Sequence, residues 1–386
     1  MNDDGEIGIA IFGTGFMAEA HSRAFLQLRS SRGTKGPTPH LAAVAGERGR
    51  ASKLAARVGF DEVAEDWRSL IENDRVALFD NASSNYQHAQ PTIAAAASGK
   101  HLFCEKPLAI SAAEAYQMWC AAEEAGVIHM CGFNYRFVPA IRLARQIIRT
   151  DGIGHVFNVR CRYLASWALD QDIPLVWRLN ASQAGYGALG DIGSHILDLA
   201  RYLVGEVAAV SGATRTFLSQ RSGNTVEVDD AATAVLEFDS GAIGSFEVSR
   251  VCPGHYNSLV IEVNGSAGSL LFDMDDLNVL QYASLKDGRH LSSAGFRKIR
   301  VTGDEHPFSD LRWPYGLDIG WGDTFLFEMD HLMRAVGGCG TIAPDGATFE
   351  DGYRVAEICD AIARSAQSSR REAVQMRALP TTPRLG

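Results

Sequence analysis

The chain has no apolar run that reaches the roughly 20 residues a helix needs to cross a bilayer. It has no block of lysine and arginine either: 36 basic residues are outnumbered by 46 acidic ones, for a formal net charge of −10. Nucleic-acid binders and proteins docked on anionic membranes carry a basic patch or stripe, so neither partner class is expected. Cysteine is present but unpatterned. The seven thiols, Cys104, Cys120, Cys131, Cys161, Cys252, Cys339 and Cys359, form no C-x-x-C pair. Zinc-ligand spacings are absent, so no metal site is expected. An odd, scattered set of cysteines fits a reducing cytoplasm. The opening "MNDDGEIGIAIF" lacks the basic start and long apolar stretch of a secretory signal, which points the same way. No internal repeat or low-complexity segment is found.

What is present is an ordinary globular composition, 46% apolar and 21% charged, over 386 residues. That length exceeds one usual core, so two domains are expected. Residues 6–131 alternate short apolar runs with helical patterns. "EIGIAIF", "LAAVAG", "ALFDNA", "HLFCE" and "VIHMCGF" read as buried strands. "FMAEAHSRAFLQL", "RASKLAARVG", "QPTIAAAASG" and "SAAEAYQMWCAAEEAG" read as the helices between them. This alternation predicts a doubly wound parallel sheet.

Beyond about residue 135 the pattern changes. "ALGDIGSHILDLARYLVG" reads as one helix, followed by "VAAVSGATRTF", "DAATAVLEFDSGAIGSFEVSRV", "SLVIEVNGSAGSLLFD" and "NVLQYAS" as hairpin-linked strands. Residues 284–322 read as a long irregular excursion, and two helical patterns close the chain. The expected architecture is α/β: a doubly wound domain over 1–133, then a domain with a hairpin-linked antiparallel sheet over 134–386.

Three stretches carry chemistry. "IAIFGTGFMAEAH" sets Gly13-x-Gly15-x-x-Ala18 directly after the first strand and at the start of the first helix. The glycines permit the tight turn and close approach of a pyrophosphate, which the free N–H groups of the helix start attract. The ribose-selecting position at the end of the second strand is Gly46, followed by Glu47, Arg48 and Arg50. Glu47 could bond a ribose 2′-hydroxyl; the arginines could hold a 2′-phosphate. NAD is expected, with NADP left open.

In the second stretch, "CEKPLA", Lys106 precedes Pro107 and is therefore pushed away from the helical region, its side chain aimed by extended backbone. The third, "GDIGSHILDLARYL", places Asp191, His195, Asp198 and Tyr202 on one stripe of a helix. Ile192, Ile196, Leu199 and Leu203 form a second stripe, while Ser194 and Arg201 mark a solvent side. The acid–imidazole stripe then lies between core and solvent, as a cleft wall would. An aspartate one turn from a histidine can orient the ring and raise its basicity.

"GTGFMAEAH", "CEKPLA" and "GALGDIGSHILDLARYLVG", in this order, resemble the Gfo/Idh/MocA family of nicotinamide-dependent oxidoreductases over nearly the whole chain. Within the family, "CGFNYRFVPA" and "PLVWRLNASQAGYGALGD" are most similar to sugar-acting members. The resemblance implies hydride transfer between a nicotinamide and a hydroxyl-bearing carbon of a sugar, anhydrosugar or cyclitol. It implies Lys106, Asp191 and His195 as the catalytic set, with Asp191 holding the His195 imidazole and Pro107 fixing the approach, a cis bond being one means. Around the cofactor it implies Phe16, Met17, Ser83, Asn85, His88, Glu105 and Lys106, and around the substrate Tyr135, Arg136, Trp177, Arg178 and His195. Phe133 and Phe137 are expected in the core.

The chain departs from the family where Thr-Pro-Asn becomes Ser83-Ser84-Asn85, which is expected to loosen the loop under the cofactor. The long connection from Ser30 to His40 is expected near the adenosine end. The resemblance also implies an N-terminal Rossmann domain and a C-terminal α/β domain with an open, mostly antiparallel sheet, whose open face would favour a homodimer or homotetramer. Two further readings are a glycoside hydrolase that oxidises and re-reduces through NAD, and a non-catalytic sugar sensor.

Overall fold

The computed structural model describes residues 5–31, 33–174, 176–221, 223–288, 294–311 and 314–380. The first sheet is built from β1 (Glu6–Phe12), β2 (Thr38–Ala45), β3 (Glu62–Val63), β4 (Leu78–Asn81), β5 (His101–Cys104) and β6 (His129–Cys131). Their order is β3-β2-β1-β4-β5-β6 and every pair is parallel. The strands are apolar runs because helices cover both faces: α1 (Phe16–Ser30), α2 (Arg48–Val58), α3 (Trp67–Glu72), α4 (Ala89–Ala97) and α5 (Ala112–Ala125). Local signals end the helices cleanly. Ser111 caps α5 at its start, and Gly126, at φ 63°, ends it in the left-handed conformation. The strand order reverses between β1 and β4, the place where such sheets bind ligands at their carboxyl ends.

The two-residue β3 and the helix α3 were not read from the sequence. Each is too short to impose a period.

The second half contains α6 (Pro139–Arg149), β7 (Val156–Leu164), α7 (Ala181–Ala184), α8 (Ala188–Asp191), α9 (Gly193–Val204), β8 (Val207–Arg215) and the small ribbon β9 (Gln220–Arg221) with β10 (Asn224–Thr225). Then come β11 (Ala231–Phe238), β12 (Ile243–Ser249), β13 (Ser258–Gly265), β14 (Gly268–Asp273), β15 (Val279–Ser284), β16 (Arg297–Arg300), α10 (Trp321–Val336), α11 (Phe349–Ser368) and β17 (Glu372–Ala373). Nine strands form one sheet, ordered β16-β15-β14-β13-β7-β12-β11-β8-β17. It is antiparallel except where β7 lies parallel to β12. Residues of β11 and β12 alternate, with Ala232, Leu236, Phe246 and Val248 buried under the helices and Val235 and Ile243 exposed on the other face.

The closing helices return to the first half. α10 puts Phe325, Leu326, Met329 and Met333 into the core that β1, β2 and α1 share. α11 packs against both α5 and β8. The connection before β2 is not at the adenosine end, as expected, but at the opposite, amino end of the sheet. There Thr38 pairs with Glu6, and an added Cβ on Gly36 would lie 3.0 Å from α10 backbone at Arg334. The excursion after residue 284 holds a strand, β16, that extends the sheet.

Candidate active site

The Gly13 turn is forced by close packing. Its φ is 134°, and a Cβ there would fall 2.4 Å from the Ala82 carbonyl oxygen. Gly15 is the opposite case: a Cβ would meet nothing within 4 Å. No side chain caps the start of α1, so its first N–H groups are free for an anion. Open space above free N–H groups at the switch point fits a dinucleotide pyrophosphate.

Gly46, at φ 156°, also has a tertiary reason, since a Cβ would lie 2.7 Å from Thr14 Cγ2. The acid expected to meet the ribose is turned elsewhere: the Glu47 carboxylate accepts from the N–H groups of Gly49 (2.9 Å) and Arg50 (3.1 Å), capping α2. Arg50 lines the cleft beside this loop; Arg48 is exposed outside it.

The cleft itself has a volume of about 930 Å³. Phe16, Met17, Glu105 and Lys106 form its cofactor-side wall. Tyr135, Tyr163, Trp167, Trp177, Arg178, Asp191, His195, Asn257 and Trp321 also line it. Lys106 sits in the turn after β5, and its peptide bond to Pro107 is cis. Its Nζ donates to the Asp191 carbonyl oxygen at 2.9 Å and lies 3.6 Å from the Asp191 carboxylate. Burial pushes the Asp191 carboxyl up, but the charges of Lys106, Arg250 and Arg178 outweigh it and hold it below its ordinary range.

His195 is 7% exposed and sits edge-on to Tyr135, with ring centroids 4.6 Å apart. Burial, then the nearby Lys106 charge, holds its imidazole well below the usual histidine range. Its Nδ1 is sealed off without a hydrogen-bond partner, which leaves Nε2 for the cleft. The expected Asp191–His195 contact is therefore not made. The aspartate is drawn to Lys106 on one side and to Arg250, 3.7 Å away, on the other.

The helix expected to carry both groups is broken. Ile192 separates α8 from α9, and Asp229 caps the start of the short α8 through the N–H groups of Gly187 and Leu189. No face of α9 meets solvent, Ser194 and Arg201 included, since the sheet lies on one side and α11 on the other. Asp198 takes Arg136 in a two-pronged pair at 2.6 and 2.8 Å, and Asp351 adds a second carboxylate at 3.2 Å. Arg136, expected at the substrate, is thus 2% exposed and belongs to the core. Phe133 and Phe137 are buried.

Two other residues expected at the cofactor make hydrogen bonds within the protein. His88 is fully buried, with Nδ1 3.0 Å from the Pro107 carbonyl oxygen. Asn85 donates to the Ala184 carbonyl at 3.1 Å, tying the first sheet to α7. Ser83 bonds Asn81 Oδ1 at 2.6 Å, and Asn81 in turn bonds Thr92 and the His88 carbonyl. The loop is pinned despite its missing proline.

Sequence reasoning missed Tyr163, Trp167, Asn257 and Trp321. Tyr163 lies on β7, whose alternating "FNVRCRYL" carries a strand signal; its hydroxyl is 3.0 Å from that of Tyr135. Trp321 stacks on the exposed Phe16, with ring centroids 5.6 Å apart. Also missed was His21, one turn into α1. It lies between Asp80 (3.0 Å) and Glu105 (3.2 Å), fully buried. Against the effect of burial, these two carboxylates raise it to about 10. Glu105 also accepts from the Lys106 N–H at 3.1 Å, so this cation underpins the wall that carries Lys106.

A glycine loop at the switch point of a parallel sheet, beside a cleft holding an amine and a neutral imidazole, defines a nicotinamide-dependent oxidoreductase. The chain belongs to the Gfo/Idh/MocA family: residues 7–133 match the oxidoreductase family's NAD-binding Rossmann fold and residues 141–271 its GFO/IDH/MocA C-terminal domain. It is similar to levoglucosan dehydrogenase of Pseudarthrobacter phenanthrenivorans, 37% identical over 93% of this chain and 96% of that one. It is also similar to scyllo-inositol 2-dehydrogenase (NAD(+)) of Bacillus subtilis, 31% identical over 69% of this chain and 73% of that one. A solved levoglucosan dehydrogenase, in complex with NADH and levoglucosan, superposes with a TM-score of 0.92 at 36% identity, covering 96% of this chain and all of the other. The first domain is thus an NAD-binding Rossmann domain, and a solved levoglucosan dehydrogenase similar to this chain is in complex with NADH. No helix among the described residues is long and apolar enough to cross a membrane.

Proposed function

We propose that this enzyme oxidises a secondary hydroxyl of a sugar, anhydrosugar or cyclitol. The bound nicotinamide supplies the hydride acceptor. His195 takes the hydroxyl proton at Nε2. Lys106, charged and held by Asp191, stabilises the developing alkoxide. Asp191 acts by keeping Lys106 in place and not by orienting the ring. Trp167, Trp177 and Trp321 offer faces to the C–H surface of a sugar, while Arg178 and Asn257 offer polar groups to its hydroxyls. Residues 1–133 then hold the cofactor and 134–386 the substrate, with α10 shared by both.

The observation that carries this reading is the convergence of Lys106, His195 and three tryptophans on one cleft at the glycine loop. The likeness to levoglucosan and inositol dehydrogenases supports the substrate class.

The test is reduced-nicotinamide formation with NAD+ and NADP+ separately, across anhydrosugars, cyclitols, free sugars and glycosides. Turnover with NAD+ on one sugar class is expected. Glycoside cleavage without net NADH release would replace this reading with a hydrolase that recycles its cofactor.

A further inference from the structure

Of the cations near Asp191, Lys106 and Arg178 line the cleft and Arg250 does not. Arg250 follows the last residue of β12 and is completely buried. Its Nη1 lies 3.7 Å from Asp191 Oδ2, on the side of the carboxylate away from Lys106, which faces Oδ1 at 3.6 Å. The guanidinium is itself held. Nη2 donates to the Asp229 carbonyl at 3.1 Å, Nη1 to the Arg178 carbonyl at 3.4 Å, and the group lies 5.1 Å from the Trp167 ring centre.

The neighbouring Asp229, two residues before β11, grips the same turn from its other end. Its carboxylate accepts from the N–H groups of Gly187 at 2.7 Å and Leu189 at 2.8 Å, so it sets the start of the helix that ends in Asp191. The fit is close: a Cβ at Gly187 would fall 1.8 Å from the Asp229 carbonyl oxygen and 2.8 Å from Arg250 Nη2.

We infer that Arg250 and Asp229 are positioning residues that set the Asp191 carboxylate against Lys106 and keep it from the His195 ring. Neither lines the cleft; both act through the α8 turn. A carboxylate between two cations cannot also swing to Nδ1 of His195, whose lack of a partner is thereby explained. The groups that face Asp191 are Lys106 from the turn after β5, Arg178 from the 177–179 turn, Arg250 from β12, Tyr163 from β7 and His195 from α9. The effect on turnover rests on the dehydrogenase reading above.

The test uses the full chain with Arg250→Met, Arg250→Lys and Asp229→Asn. Arg250→Met is expected to lower kcat by about 10- to 100-fold, the loss that goes with a misplaced reacting group, while NADH affinity by fluorescence stays within about twofold. In carboxyl-labelled aspartate NMR, with the Asp191 signal identified by its loss in Asp191→Asn, the Asp191 midpoint should rise in Arg250→Met and return in Arg250→Lys. An unmoved midpoint with equal loss of thermal stability in Met and Lys variants would overturn the inference, leaving Arg250 as packing only. If Arg250→Met does not fold, Asp229→Asn decides: a fall in kcat at unchanged NADH affinity supports the inference, and wild-type kcat sinks it. A wild-type enzyme that binds NADH and oxidises no sugar would sink the dehydrogenase reading instead, and the Asp191 midpoint would still decide Arg250 by itself.

Discussion

Single residues here owe their chemistry to what surrounds them. Burial and the Lys106 charge hold His195 neutral well below its usual range, so it is free to accept a proton throughout the neutral range. Oxidation rates between about pH 5.5 and 8 should therefore carry no limb from His195. A limb near the ordinary histidine value that disappears in His195→Gln would refute this. His195→Ala should cut kcat by about 10²- to 10⁴-fold with NADH affinity unchanged. Loss of NADH binding instead would move His195 out of the proton-transfer role.

His21 works in the reverse sense. Its folded-state value of about 10 lies above the unfolded one, so its contribution to stability is complete below the unfolded value and is lost as pH rises through about 10. The melting temperature of wild type should exceed that of His21→Gln by more near neutral pH than near pH 10. An equal gap at both would mean that His21 contributes shape and no charge.

At the scale of the element, the glycine loop divides two roles between two residues of one type. Gly13 is required by the fold, because a Cβ would strike Ala82 backbone, whereas Gly15 faces open space. Gly13→Ala should cost about 1–3 kcal/mol of stability. Gly15→Ala should melt like wild type and bind NADH at least about tenfold more weakly, as its methyl takes the place of a phosphate oxygen. Calorimetry and NADH fluorescence separate the two, and a destabilised Gly15→Ala would contradict the open loop. This element was fully legible in sequence, since its turn, strand and helix are contiguous. The α8–α9 pair was legible only in part. Spacing alone read one helix; the Asp229 carboxylate that fixes the start of α8 lies about forty positions away and leaves no mark in the local pattern.

For the whole molecule, the closing helices make the two halves interdependent. Phe325, Leu326, Met329 and Met333 of α10 complete the core on one face of the first sheet. A fragment of residues 1–133 would expose the partners of these side chains. It should show no cooperative unfolding transition by circular dichroism, although it contains every strand of the sheet. A fragment that melts cooperatively would show that α10 is dispensable to the first domain.

The strand–helix alternation of the first half, the place of the glycine loop and the lysine before a proline were legible in sequence alone, because each leaves a pattern within a few neighbouring residues, whereas elements too short to carry a period, β3 and α3, left none. Which charges meet was decided by tertiary structure. Arg136 reaches Asp198 across 62 positions, His21 reaches Glu105 across 84 and Lys106 reaches Asp191 across 85. A carboxylate takes the best-placed cation that folding brings within about 4 Å, and one helix turn of proximity to a histidine does not outweigh a buried guanidinium and an ammonium already in contact.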